Sequence, residues 1–67
     1  MNQGKEAIRV QPARFVTPKL FEAISGITPR AVEGKIARGV WAEGIQFRRR
    51  DGKVLIDVKE YEKWADK

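Results

Sequence analysis

The 67 residues include no cysteine and no histidine. The first absence rules out disulfides and thiolate metal sites, and the second removes the usual imidazole ligands of zinc and haem. Histidine general bases and cysteine nucleophiles are excluded with them. Nine carboxylates remain, but they are scattered mostly among basic residues with no pair set in an apolar stretch, so neither catalysis nor a cofactor is expected. No apolar run approaches membrane-spanning length, and the N-terminus has no apolar signal-peptide core. A cytoplasmic protein with no membrane partner is the expectation. A chain this short is near the lower limit for a core without staples, so residues 1–67 are expected to form a single domain, with 1–6 disordered.

What the chain does have is positive charge, +5 in all with a pI near 10.0. Its placement is more informative than its sum. Residues 1–27 carry four basic and two acidic groups, residues 28–53 seven and three, and residues 54–67 three and four. The excess is therefore central, embedded in apolar periodicity rather than hung on a tail, which suits a folded surface for nucleic acid.

The densest part is "FRRRDGKVLID", residues 47–57. Asp51-Gly52 is the pair that tolerates positive φ at both centres of a two-residue hairpin turn. That turn sets Arg50 opposite Lys53, Arg49 opposite Val54, Arg48 opposite Leu55, Phe47 opposite Ile56 and Gln46 opposite Asp57. Strand alternation then puts Phe47, Arg49, Val54 and Ile56 on one face and Arg48, Arg50, Lys53 and Leu55 on the other. Opposed like charges disfavour a hairpin by a few tenths of a kcal/mol, roughly. A charged edge can serve only to prevent strand pairing with other chains, but arginines gathered at a tip suit phosphate contact better.

Upstream, the same punctuation occurs twice. "TPKLFEAIS" has Thr17 as N-cap, Pro18 at the first helical position and Ser25-Gly26 as the stop, with Leu20, Phe21 and Ile24 as its apolar stripe. "ITPRAVEGKIARGVW" repeats this with Thr28, Pro29 and Gly39, and Val32, Ile36 and Val40 are expected to face inward. Arg30, Gly34 and Arg38 then fall on the opposite side, flanked by Ala31 and Lys35. Gly34 costs a helix about 1 kcal/mol relative to Ala. Close approach of another backbone would explain it, and so would a tolerated surface glycine or helix-on-helix packing. Before these helices, "AIRVQPARFV" reads as a short edge strand interrupted by Pro12. After the hairpin, Asp57 and Glu60 have capping-box spacing, and Val58, Tyr61, Trp64 and Ala65 give the last helix an apolar side. Both tryptophans are assigned to the core, Trp41 beneath the hairpin.

Helix, tight turn, helix with a basic outer face, then a cationic hairpin is the order of a small α+β winged helix-turn-helix: short N-terminal strand, two helices, β-hairpin wing, C-terminal helix. A major groove wide enough for one helix would let Arg30 pair with guanine and the Ala31 methyl meet a thymine methyl, with Lys35 and Arg38 on phosphates. The helix N-terminus at Thr28 could hold a phosphate. Arg48, Arg50 and Lys53 would cross the backbone into the minor groove.

Over residues 15–64 the chain resembles the winged-helix excisionases of phages and prophages. The resemblance rests on "VTPKLFEAISGITPRAVEGKIARGVW", "RRRDGKVLID" and "VKEYEKW". It implies a non-catalytic architectural protein that binds double-stranded DNA near an attachment site, bends it cooperatively and directs a tyrosine recombinase (integrase) toward excision. Recognition contacts are implied at Arg30, Ala31, Lys35 and Arg38, and wing contacts at Arg48, Arg49, Arg50 and Lys53. The central Glu33-Gly34-Lys35 departs from the aromatic and adjacent arginines of many such recognition helices, so base preference does not transfer. A prophage transcriptional regulator with the same contact residues, or a basic module for an acidic protein partner, are the alternatives. With no heptad or extended apolar face, a monomer that assembles cooperatively on DNA is expected.

Overall fold

The computed structural model describes residues 13–67. The expected frayed end at 1–6 and the first part of the expected edge strand, 7–12, lie outside the described residues. Six elements follow: β1 (Phe15–Val16), α1 (Pro18–Ser25), α2 (Pro29–Ala37), β2 (Phe47–Arg50), β3 (Lys53–Asp57) and α3 (Val58–Ala65). The strands form one antiparallel sheet in the order β1-β3-β2, so β1 is indeed an edge. Three helices around a small antiparallel sheet ending in a hairpin make the fold α+β and winged-helix-like.

Both threonine-proline starts form as the caps require. Thr17 Oγ1 accepts from the Leu20 N–H at 3.3 Å, and Thr28 Oγ1 from the Ala31 N–H at 3.1 Å. Gly26, at φ 80°, closes α1 in the left-handed region. The Ser25 hydroxyl donates back to Phe21 O at 2.8 Å and accepts from the Ile27 N–H at 3.0 Å. One side chain thus ties the end of the first helix to the turn that aims the second.

The core consists of Val16, Phe21, Val32, Trp41, Phe47, Ile56 and Val58, with Ile27, Ile36, Val54, Tyr61 and Trp64 packed against it. Phe21 and Trp41 meet edge to face at 5.9 Å, Phe21 and Tyr61 at 4.8 Å, and Trp41 and Trp64 at 5.6 Å. Such pairs contribute about 0.5–1.5 kcal/mol beyond area burial, and here they join α1, the segment after α2, and α3.

Several expected core positions lie elsewhere. Leu20 and Ile24 are 41% and 47% exposed, because the inward line of α1 runs through Pro18, Phe21 and Ser25 and leaves the other two well to one side. Val40 is 45% exposed. Helix α2 ends at Ala37, the chain reverses at Gly39 (φ 73°), and Trp41 takes the inward place expected of Val40. Ala65 is exposed as well, the inner line of α3 being Val58, Tyr61 and Trp64.

Only half of the capping box at α3 forms. Asp57 Oδ1 accepts from the Glu60 N–H at 3.2 Å, but Glu60 turns to Lys63 at 3.3 Å, and the Asp57 N–H donates instead to Gln46 O at 2.8 Å. The backbone bond that a capping box would satisfy is already made to the strand side.

Candidate nucleic-acid interface

The hairpin turn is built as its sequence demands, with φ of 53° at Asp51 and 74° at Gly52. The register is Phe47 to Ile56, Arg48 to Leu55, Arg49 to Val54 and Arg50 to Lys53. Phe47 and Ile56 are buried and Val54 packs against the core, which fixes the opposite face as the outer one. On that face Arg48 and Arg50 line, together with Phe15 and Leu55, a cavity of about 310 Å³. Two apolar and two cationic side chains thus share its lining. The Arg48 guanidinium lies 5.7 Å from the Phe15 ring centroid, a cation–π distance. Its Nε is buried with no hydrogen-bond partner among the described residues.

Arg49 belongs to the other face. It lies over the Phe47 ring at 5.5 Å, and its Nε is 3.6 Å from Glu43 Oε1, with both side chains more than half exposed. The structure therefore separates it from Arg48, Arg50 and Lys53. Lys53 and Arg50 are exposed at the tip, directly opposed.

On α2, Arg30 and Arg38 are exposed, Ala31 and Lys35 are half-buried, and Val32 is fully enclosed on the inner side. Lys35 leans toward α3, its ammonium 5.6 Å from the Trp64 ring centroid. Arg38 is the C-cap residue, not a member of the helix interior. The Thr28 hydroxyl oxygen accepts from the Ala31 N–H, which leaves its O–H proton, beside the backbone amides of the first turn, able to donate to an anion.

The ion pairs among the described residues join Arg14 to Asp57, Arg49 to Glu43 and Lys63 to Glu60. None of them draws on Arg30, Arg38, Arg48, Arg50 or Lys53. The Arg14–Asp57 pair escaped the sequence reading altogether. Arg14 Nη2 reaches Asp57 Oδ2 at 3.0 Å, and Nε lies 3.2 Å from each carboxylate oxygen. Asp57 is fully buried. Burial pushes its carboxyl up, but the hydrogen bonds from Arg14 and the Glu60 N–H, with the Arg14 charge, outweigh this and hold it below the usual carboxylate range. In turn the hydrogen bond and charge of Asp57 raise Arg14 above its ordinary value. The cap signal at Asp57 was legible; a partner 43 residues away was not.

No helix among the described residues is long and apolar enough to cross a membrane, and no group of acidic residues there could hold a metal ion. No curated protein and no solved structure matches the chain. Residues 7–67 do match a family model described as "Putative excisionase (DUF1233)".

Proposed function

The chain belongs to that excisionase family, and from this premise we propose that it is a sequence-specific, non-catalytic DNA-binding protein that promotes site-specific prophage excision. Helix α2 enters the major groove and the β2–β3 hairpin lies on the backbone and adjacent minor groove. Arg30 and Ala31 address base edges, while Lys35, Arg38 and the helix start at Thr28 address phosphates. Arg48, Arg50 and Lys53 supply the wing contacts, with Arg49 a lesser one because Glu43 already faces it.

The carrying observation is that Arg30, Arg38, Arg48, Arg50 and Lys53 make no ion pair among the described residues, whereas Arg14, Arg49 and Lys63 do. Unpaired guanidinium groups repel each other in the free protein. On duplex DNA the same groups displace condensed counterions, and the repulsion becomes affinity. The tyrosine recombinase is the partner this role requires, and cooperative binding of monomers to adjacent sites is the mode of assembly.

A second reading, as a module for an acidic partner protein, has one observation in its favour: the cavity lined by Phe15 and Leu55 together with Arg48 and Arg50 offers apolar surface that phosphates do not use. Footprinting with DNA that spans the prophage boundary, competed by a promoter fragment, separates the readings. Protection at the boundary that survives the competitor is the expected result. Stronger protection of the promoter fragment would make the protein a transcriptional regulator, and protection of neither would leave the acidic partner.

A further inference from the structure

Gly34 stands in the middle of α2 with an ordinary helical conformation, although glycine is the poorest helix former after proline. Nothing in the inner packing calls for it. A Cβ built at Gly34 would lie 3.0 Å from Arg38 Nη1 and 3.5 Å from Cζ and Nη2, and these are its three nearest atoms outside the local helix backbone. The place of a methyl group is therefore taken by a guanidinium. Arg38 is attached at the helix C-cap, but its side chain runs back along the helix, as side chains on helices tilt toward the N-terminus.

We propose that Gly34 is a positioning residue: by leaving its surface bare, it lets the Arg38 guanidinium rest one turn back along α2, in line with Arg30, where it addresses a DNA phosphate. The proposal rests on the DNA-binding reading above. Residues 30, 34 and 38 form one stripe at four-residue spacing. Folding back moves the Arg38 charge from the end of the helix toward the half that approaches the groove. A guanidinium resting against the helix also has its fork of donors held near one place, which suits two-point contact with phosphate oxygens.

The obstructing atoms are the far end of a flexible side chain, so Gly34→Ala displaces Arg38 without straining the backbone. The variant is expected to melt at a higher temperature than the parent, by helix propensity. Its DNA binding is expected to fall. Against a mixed-sequence duplex, Gly34→Ala and Arg38→Ala should each lower the magnitude of the slope of log affinity on log salt by about 0.9, one phosphate contact, and the double variant should bind no more weakly than Arg38→Ala alone. A Gly34→Ala protein that binds like the parent would overturn the proposal. So would a further loss in the Arg38→Ala background, which would place Gly34 itself against DNA.

A measurement without DNA separates this idea from the reading it rests on. The 15N relaxation of the Arg38 Nε–H group should show an ordered side chain in the parent and a mobile one in Gly34→Ala. Equal order in both proteins overturns the positioning role, whatever DNA does. Order that is lost while DNA affinity stays constant leaves the geometry standing and overturns the phosphate contact.

Discussion

The seam where Arg14 meets Asp57 and the tip where Arg50 faces Lys53 use the same chemistry in opposite ways. At the seam a cation meets a buried carboxylate that also caps α3, and the charge is consumed in holding the edge strand to the start of the helix. At the tip two cations are set opposite each other, and neither makes an ion pair among the described residues. The seam lowers the free energy of the folded chain by itself. The tip raises it, and does so at the position the hairpin turn holds in register. Positive charge that the fold leaves unpaired is the charge available to a polyanion.

The contrast is most exposed to failure at the tip. Replacing Arg48, Arg50 and Lys53 together by Ala should weaken binding to any duplex by about 10²-fold near 0.15 M salt, counting three phosphate contacts at about 0.9 each per decade of salt below 1 M. The melting temperature should change little, because relief of the opposed Arg50–Lys53 pair offsets the lost contact of Arg48 with Phe15. A gel-shift titration beside a thermal melt checks both halves. A lower melting temperature with unaltered binding would make these residues structural, like Arg14.

Arg30→Ala should cost about 1–3 kcal/mol on the preferred site and flatten discrimination at one base position. Competition among single-base variants of the site measures it. Equal loss on every sequence would demote Arg30 to a phosphate contact.

At the seam the effect should fall on stability alone. Asp57→Ala removes the cap of α3, a loss of about 0.5–2 kcal/mol, and should leave salt-dependent binding intact wherever the protein remains folded. Asp57→Asn keeps a capping side chain and removes the charge. The folded-state carboxyl titrates below its ordinary value, so the unfolded chain binds the proton more readily and the stability gained from ionised Asp57 is complete above the usual carboxylate range. It is lost as the pH falls through the depressed folded-state value. Melting temperatures measured from neutral to acid pH should therefore decline less steeply for Asp57→Asn than for the parent. Parallel curves would mean that the pair contributes nothing.

The smallest change is expected at Arg49, whose half-exposed pair with Glu43 resembles surface ion pairs that contribute about 0–1 kcal/mol. Arg49→Ala should alter the salt slope by less than either Arg50→Ala or Lys53→Ala does. A larger effect would show that Glu43 releases it on DNA.

Local chemistry made most of this fold legible. Asp51-Gly52 dictates one turn, and with it the four pairs from Arg50–Lys53 to Phe47–Ile56 and the division of their faces; the expected fifth pair, Gln46–Asp57, lies beyond the end of β2. Thr17-Pro18 and Thr28-Pro29 start their helices where the caps allow and nowhere else. What stayed hidden is long-range or a matter of a few tens of degrees. A stripe of Leu20, Phe21 and Ile24 does not say which of the three is its centre, and a core this small encloses only Phe21. Val40 matched the helical period, but the period had ended at Ala37. The bond between Arg14 and Asp57 depends on β1 pairing with β3, which no local signal announces. Gly34 was conspicuous in the sequence, yet its neighbour could be named only when Arg38 was seen lying across it.

The central claim, that cations left unpaired by the fold form the surface for duplex phosphates, is tested most directly by the salt dependence of DNA affinity. The parent should show a steep linear fall of log affinity with log salt, and the Arg48→Ala, Arg50→Ala, Lys53→Ala triple variant a slope smaller in magnitude by about 2.7. Identical slopes for the two proteins would contradict the account.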